Sequence, residues 1–135
     1  MKYLNLTILG ALLLMIISCS KKDSSTFVDE LTFGTGYSYT DFTLTGKGST
    51  FSATPGNVAF RLESSEDFGS NPVKFVIKKD GITYSTDIHS SNPVPTGHIF
   101  LVMKNYSTKG SYSVTAYIQK TGGDKSVASA SFQMN

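Results

Sequence analysis

From about residue 27 to residue 135 the chain is a series of short segments in which apolar and polar residues alternate, separated by Gly, Pro, Asn, Asp and Ser. A period of two is that of a strand with one face buried and one wet, so each segment predicts a β-strand. The clearest is Ser111–Gln119, with Tyr112, Val114, Ala116 and Ile118 on one face and Ser113, Thr115, Tyr117 and Gln119 on the other. The first face is expected in a core, the second in water. The C-terminal segment repeats the pattern, with Ala128, Ala130, Phe132 and Met134 inward and Ser129, Ser131 and Gln133 outward. Between the two, Thr121-Gly122-Gly123-Asp124-Lys125 reads as a turn, which makes them a hairpin.

A second hairpin is signalled by Asp80-Gly81, a pair that accepts the positive φ angles of a type I′ turn. With Lys79 and Ile82 flanking the turn, Ile77 would face Tyr84, Phe75 would face Thr86 and Val73 would face Ile88, a register in which the apolar phases agree. Upstream, Val58, Phe60 and Leu62 alternate with Ala59, Arg61 and Glu63. Downstream, His98–Lys104 is apolar on both faces, as suits a strand that is central or covered on its outer side. Leu31-Thr32-Phe33 and Phe42-Thr43-Leu44 are weaker strands, split by Gly34, Gly36 and a phase change near Asp41 that points to a bulge or a switch of sheets. There is no helical period and no internal repeat. The pattern predicts an all-β domain, an antiparallel β-sandwich or barrel, and about seven to nine short strands over about 110 residues fit a sandwich.

The N-terminus is different in kind. Lys2 is followed by an apolar stretch from about Tyr3 to Ile17, interrupted by Asn5 and Thr7, and Ser18 precedes Cys19. This is the layout of a secretory signal, too short and too interrupted for a membrane span of about 20 apolar residues. Its end, Ile16-Ile17-Ser18-Cys19, resembles the bacterial lipobox, in which an aliphatic, a variable and a small residue precede a cysteine. The resemblance implies cleavage before Cys19, a diacylglycerol thioether on its sulfur and acylation of the new amine. Two or three acyl chains hold a protein on a bilayer where one is marginal, since each buried methylene contributes about 0.8 kcal/mol.

Residues 1–18 are therefore expected to be a lipoprotein signal peptide, and residues 19–26, the acylated Cys19 with Ser20-Lys21-Lys22-Asp23-Ser24-Ser25-Thr26, a flexible tether. Residues 27–135 form the one domain. Ser20, in a position where aspartate is absent, resembles the pattern that permits sorting to the outer membrane in many Gram-negative bacteria. Lys21, Lys22 and Asp23 resemble the export tags of some surface lipoproteins. The expected address is the cell envelope, with the outer membrane favoured, facing the periplasm or the outside.

Within the domain, Gly110-Ser111-Tyr112-Ser113-Val114-Thr115-Ala116 resembles the start of the sixth strand of immunoglobulin-like domains. The resemblance implies an immunoglobulin-like or fibronectin-like sandwich with Tyr112 as its corner tyrosine and Val114 where a disulfide cysteine would stand. The chain departs from antibody-type domains in having one cysteine and no tryptophan. With Cys19 acylated, no thiol remains for a disulfide, a metal or a nucleophile, and the core must hold by burial alone. The 12 basic and 10 acidic side chains give a net charge of +2. Without a basic patch, neither nucleic acid nor acidic lipid is an expected partner.

Candidate chemistry is sparse. His89, in the polar stretch 87–92, and His98, beside a strand, have no second histidine or cysteine at ligand spacing, so surface or structural roles are expected. Glu63, Glu66 and Asp67 form an acidic loop with oxygens for Ca²⁺, but fewer than calcium loops recruit, and it reads as solvated. Gly46-Lys47-Gly48-Ser49-Thr50 resembles a phosphate loop but lacks the upstream glycine and the following helix. Serines abound without a Gly-x-Ser-x-Gly elbow. No catalytic constellation, cofactor or metal is therefore expected. The function expected is a binding or adhesion module using the wet face that carries Tyr117, Lys74, Val76 and Lys78, with a glycan or an envelope protein as partner and the bilayer held through Cys19. The alternative is a structural or accessory subunit of an envelope assembly, joined through an edge strand.

Overall fold

In the computed structural model, which describes residues 26–90 and 97–135, the alternating segments become β1 (Glu30–Gly34), β2 (Gly36–Tyr37), β3 (Leu44–Thr45), β4 (Thr50–Phe51), β5 (Asn57–Glu63), β6 (Val73–Lys79), β7 (Ile82–His89), β8 (Ile99–Asn105), β9 (Gly110–Lys120) and β10 (Gly123–Met134). The described residues contain no helix. Ten strands exceed the expected number because β2, β3 and β4 are two-residue pairings too short to show a period. The signal peptide, Cys19 and the tether as far as Ser25 lie outside the described residues, as does the part of the 87–92 stretch from Ser91 onward.

Strands β1, β5 and β8 form one sheet in that order, β4, β10, β9, β6 and β7 a second, and β2 with β3 a two-stranded ribbon. All pairings are antiparallel except β4 with β10. The expected β9–β10 hairpin forms, with Tyr112 opposite Phe132 and Val114 opposite Ala130, and a bulge near Val127. Near Asp41 the outcome is a switch of sheets: β1 belongs to the small sheet, the ribbon turns back, and β4 joins the large one. Of Phe42-Thr43-Leu44 only Leu44 is in a strand. Asp41 Oδ1 accepts the Thr43 hydroxyl at 2.9 Å, and Phe42 takes a φ of 58°, so local side-chain bonding makes a turn there.

The two larger sheets share one core. Tyr112, Val114, Ala116 and Ile118 of β9, with Val73, Phe75 and Ile77 of β6, meet Leu31, Phe33, Val58, Phe60, Leu62 and Phe100 of the small sheet. Phe60 sits among rings, its centroid 5.2 Å from Phe33, 5.6 Å from Phe75 and 6.1 Å from Phe132. Aromatic side chains thus fill much of the space between the sheets. Strand β8 is apolar on both faces because each has a partner: Phe100 points into this core, while Ile99 and Leu101 form a second cluster with Phe27, Tyr37 and Phe42. By hydrogen bonding it is an edge strand, not a central one, and the N-terminal segment covers its outer side.

The β6–β7 hairpin corrects the expected register. Asp80 and Gly81 do turn with positive φ, 49° and 85°, and Lys79 pairs with Ile82. Past Lys78–Thr83 a bulge at Tyr84 slips the ladder by one, placing Ile77 opposite Ser85, Phe75 opposite Asp87, Lys74 opposite Ile88 and Val73 opposite His89. A slip of one residue exchanges the faces. Ile88 therefore stands in solvent at 57% exposure, while Asp87 and His89 share the face of Phe75 and Val73. The large sheet is two strands wider than the small one, so β7 overhangs the core and has little apolar surface to bury against.

Candidate functional site

The four residues singled out on the sheet face come together. Across β6 and β9, Lys74 is opposite Tyr117, Val76 opposite Thr115 and Lys78 opposite Ser113, all on the side away from the core. Lys74 Nζ lies 4.7 Å from the centroid of the Tyr117 ring and forms an ion pair with Asp124, whose carboxyl is held below its usual range chiefly by that lysine. Gln119 Nε2 donates to the other Asp124 oxygen at 3.3 Å. Lysine, ring and carboxylate are thereby fixed in one arrangement. Beside them the face is hydroxylic, with Ser129 donating to Thr115 at 2.9 Å.

Tyr112, the third residue of β9, has its ring fully buried and its hydroxyl donating to the Thr108 carbonyl oxygen, four residues upstream, at 2.8 Å. That bond ties the loop before β9 to the strand.

The acidic loop is engaged on all sides. Glu63 pairs with Arg61 at 2.7 Å, Asp67 Oδ1 accepts the Gly69 N–H at 2.7 Å, and Glu66 is gripped by Lys120 and Lys125. The two ammonium groups hold the Glu66 carboxyl down at about 2. Among the described residues, no three His, Cys, Asp or Glu side chains come together as metal ligands. Because the Glu66 pKa is depressed on folding, its contribution to stability is present above the unfolded carboxyl range near 4.5 and is lost as pH falls from there toward 2. Acid denaturation of Glu66→Gln, followed by fluorescence between those limits, is expected to be shallower than that of the parent. Because the group is exposed, added salt should shrink the difference.

The glycine loop 46–50 is structural: Gly48 N donates to the Phe33 carbonyl at 3.1 Å, and the Ser49 carbonyl receives Gln133 N at 2.8 Å, so the loop delivers the chain to β4. His98 stacks on Phe27 at 4.4 Å and 3°, with Nδ1 2.9 Å from the Ser64 carbonyl oxygen. Of the two roles expected for His89, surface or structural, it has the structural one. Its ring packs against Phe75 and Phe100 at 5.9 and 5.3 Å, Nε2 is buried without a hydrogen-bond partner among the described residues, and burial lowers its pKa. The bulge at Tyr84, invisible to an alternation count, is what turns it inward.

At the seam between the free sides of β7 and β8, Lys104 Nζ reaches Asp87 Oδ2 at 2.9 Å. A cavity of about 390 Å³ lies alongside, bounded by Tyr37, Tyr39, His89 and residues 100–103. Tyr37 and Tyr39 share a hydroxyl hydrogen bond of 2.9 Å at its rim, which pushes the Tyr37 phenol up to about 12.

No family model and no curated protein matches the chain. Among solved structures it is similar to the soluble domain of PmoD from Methylocystis sp. ATCC 49242 (Rockwell), with 15% identity over 78% of this chain and 90% of that one and a TM-score of 0.46.

Proposed function

We propose that the chain is a lipid-anchored, non-catalytic binding module of the bacterial cell envelope, an immunoglobulin-like sandwich presented by a short tether and meeting a glycan or envelope protein through the outer face of its large sheet. The observation that carries this reading is the Lys74–Tyr117–Asp124 arrangement on that face. A ring and a charge already held in place add contact area with little further loss of rotamer freedom, which is how a small rigid surface gains affinity. The immunoglobulin-like reading draws on the order β1-β5-β8 against β4-β10-β9-β6-β7, which parallels A-B-E against a sheet built on G-F-C, and on the corner bond of Tyr112. The anchoring reading draws on the lipobox-like Ile16-Ile17-Ser18-Cys19 and on the outer-membrane pattern at Ser20.

The test joins the two halves of the proposal. Cells fed an acyl-chain probe are expected to label the parent and not Cys19→Ala, and the labelled protein is expected to fractionate with the outer membrane. Captured on beads and offered to a glycan array and to envelope extract, the parent should retain a partner that Tyr117→Ala loses at unchanged thermal midpoint. Absence of label ends the lipoprotein reading. A partner held equally well by Tyr117→Ala ends the assignment of the face.

A further inference from the structure

Among the described residues, strand β7 is the outermost strand of the large sheet and is bonded on one side only. In the β6–β9 ladder, Gln119 N donates to the Pro72 carbonyl at 2.9 Å and Asp80 N to that of Ser111 at 2.8 Å. Even-numbered residues of β6 therefore direct their backbone groups to β9 and odd-numbered ones to β7. On β7, the partners of those odd residues, Ser85, Asp87 and His89, bond inward. Thr86 and Ile88 then point their N–H and C=O groups away from the sheet. The strand carries no lysine or proline, the usual protections of such an edge. Its bulge at Tyr84 limits the regular stretch to the residues that follow.

We infer that this edge pairs with a second copy of the chain, β7 running antiparallel to the partner copy's β7 about a twofold axis at Ile88. The register is dictated by what it matches. Centring on Ile88 lays that exposed side chain against its own copy on the wet face and, one residue to either side, sets Asp87 across from His89 of the other copy, twice. Each of those two residues has an unused polar atom. Asp87 Oδ2 is taken by Lys104 and by the Ser85 hydroxyl at 3.5 Å, while Oδ1 has no hydrogen bond among the described residues. His89 Nε2 is buried without a hydrogen-bond partner among the described residues. An Nε2–H donating to the copy's Oδ1 satisfies both, and the cavity of about 390 Å³ beside His89 gives the incoming carboxylate room. A centre one residue earlier would set Asp87 against Asp87, like charges directly opposed. An unrelated peptide would satisfy the backbone of the edge but would not have to supply both halves of this pair. The inference does not depend on the reading of the binding face; if both hold, two such faces join across one continuous sheet and bind bivalently.

The test is a cysteine placed on the axis, in the full chain in detergent with Cys19→Ser so that it is the single thiol. In the inferred register Ile88 faces its copy at about 5.5 Å between Cα atoms, within disulfide range. Thr86 faces residue 90 of the copy, and its own copy lies roughly 13 Å away at the strand rise, out of reach. Mild oxidation is expected to convert Ile88→Cys largely to a disulfide-linked dimer and to leave Thr86→Cys monomeric. By sedimentation the chain without added cysteine should dimerise, and His89→Phe, which keeps the ring contacts with Phe75 and Phe100, should dimerise about tenfold more weakly. Equal cross-linking of both cysteines, or of neither, overturns the register. A monomeric sedimentation profile overturns the dimer, and undiminished association of His89→Phe overturns the Asp87–His89 contact.

Discussion

Val114→Asp is expected to leave the domain unfolded at room temperature, while Thr115→Asp, one residue on, unfolds at nearly the parent denaturant midpoint. Val114 is fully buried between the sheets, opposite Ala130 on one side and Ile77 on the other. A carboxylate there has no cation within the core to meet it, and an unpaired buried charge costs several kcal/mol against a total stability of about 5–15 kcal/mol. Thr115 projects to the opposite face beside Ser129, where a charge stays hydrated. Urea titrations of the two variants, read by circular dichroism, separate the outcomes. Midpoints that fall together would mean that the faces of β9 have been assigned wrongly.

Phe60→Ala is the second large effect. Phe60 is fully buried and its ring lies within 6.3 Å, centroid to centroid, of Phe33, Phe75, Tyr106 and Phe132. Its neighbours come from both sheets and cannot close over the space, so the transfer and cavity costs add to about 3–5 kcal/mol. Phe60→Leu fills most of the volume and is expected to recover over half of that loss. The check is the pair of urea midpoints at an unchanged slope; equal midpoints for the two variants would show that the site collapses around any residue.

The strands that cross the core were legible because their period of two survives in the sequence. Tyr112–Ile118 and Ala128–Met134 lie on the faces that their alternation assigns, and Tyr117, Lys74, Val76 and Lys78 gather on the opposite side as expected. Apart from the local turn at Asp41–Thr43, the failures come from pairings that the sequence pattern does not show. The apolar residues of β7 alternate as though buried, yet the sheet opposite does not reach over them, and a single inserted residue at Tyr84 turns Ile88 outward and His89 inward. Nothing local announces that bulge. Likewise Thr50–Phe51 has no period to read and becomes a strand because Gln133 and Met134 lie beside it. The candidate face was legible as a face, but the ion pair with Asp124 was not, because it joins residues 50 positions apart.

The parallel contact of β4 with β10 bears on the order of events after synthesis. Ala53 N donates to the Asn135 carbonyl and Asn135 N to that of Phe51, each at 2.9 Å, so residues 51–53 are clasped by residues 133–135. A strand closed by so distant a stretch cannot dock while that stretch is still emerging, and bringing the two together costs loop-closure entropy that no nearby contact repays early. Until then the five-stranded sheet lacks its first strand and Phe51 its cover against Phe132. A polypeptide built this way cannot complete its larger sheet until residues 133–135 have been delivered to residues 49–53.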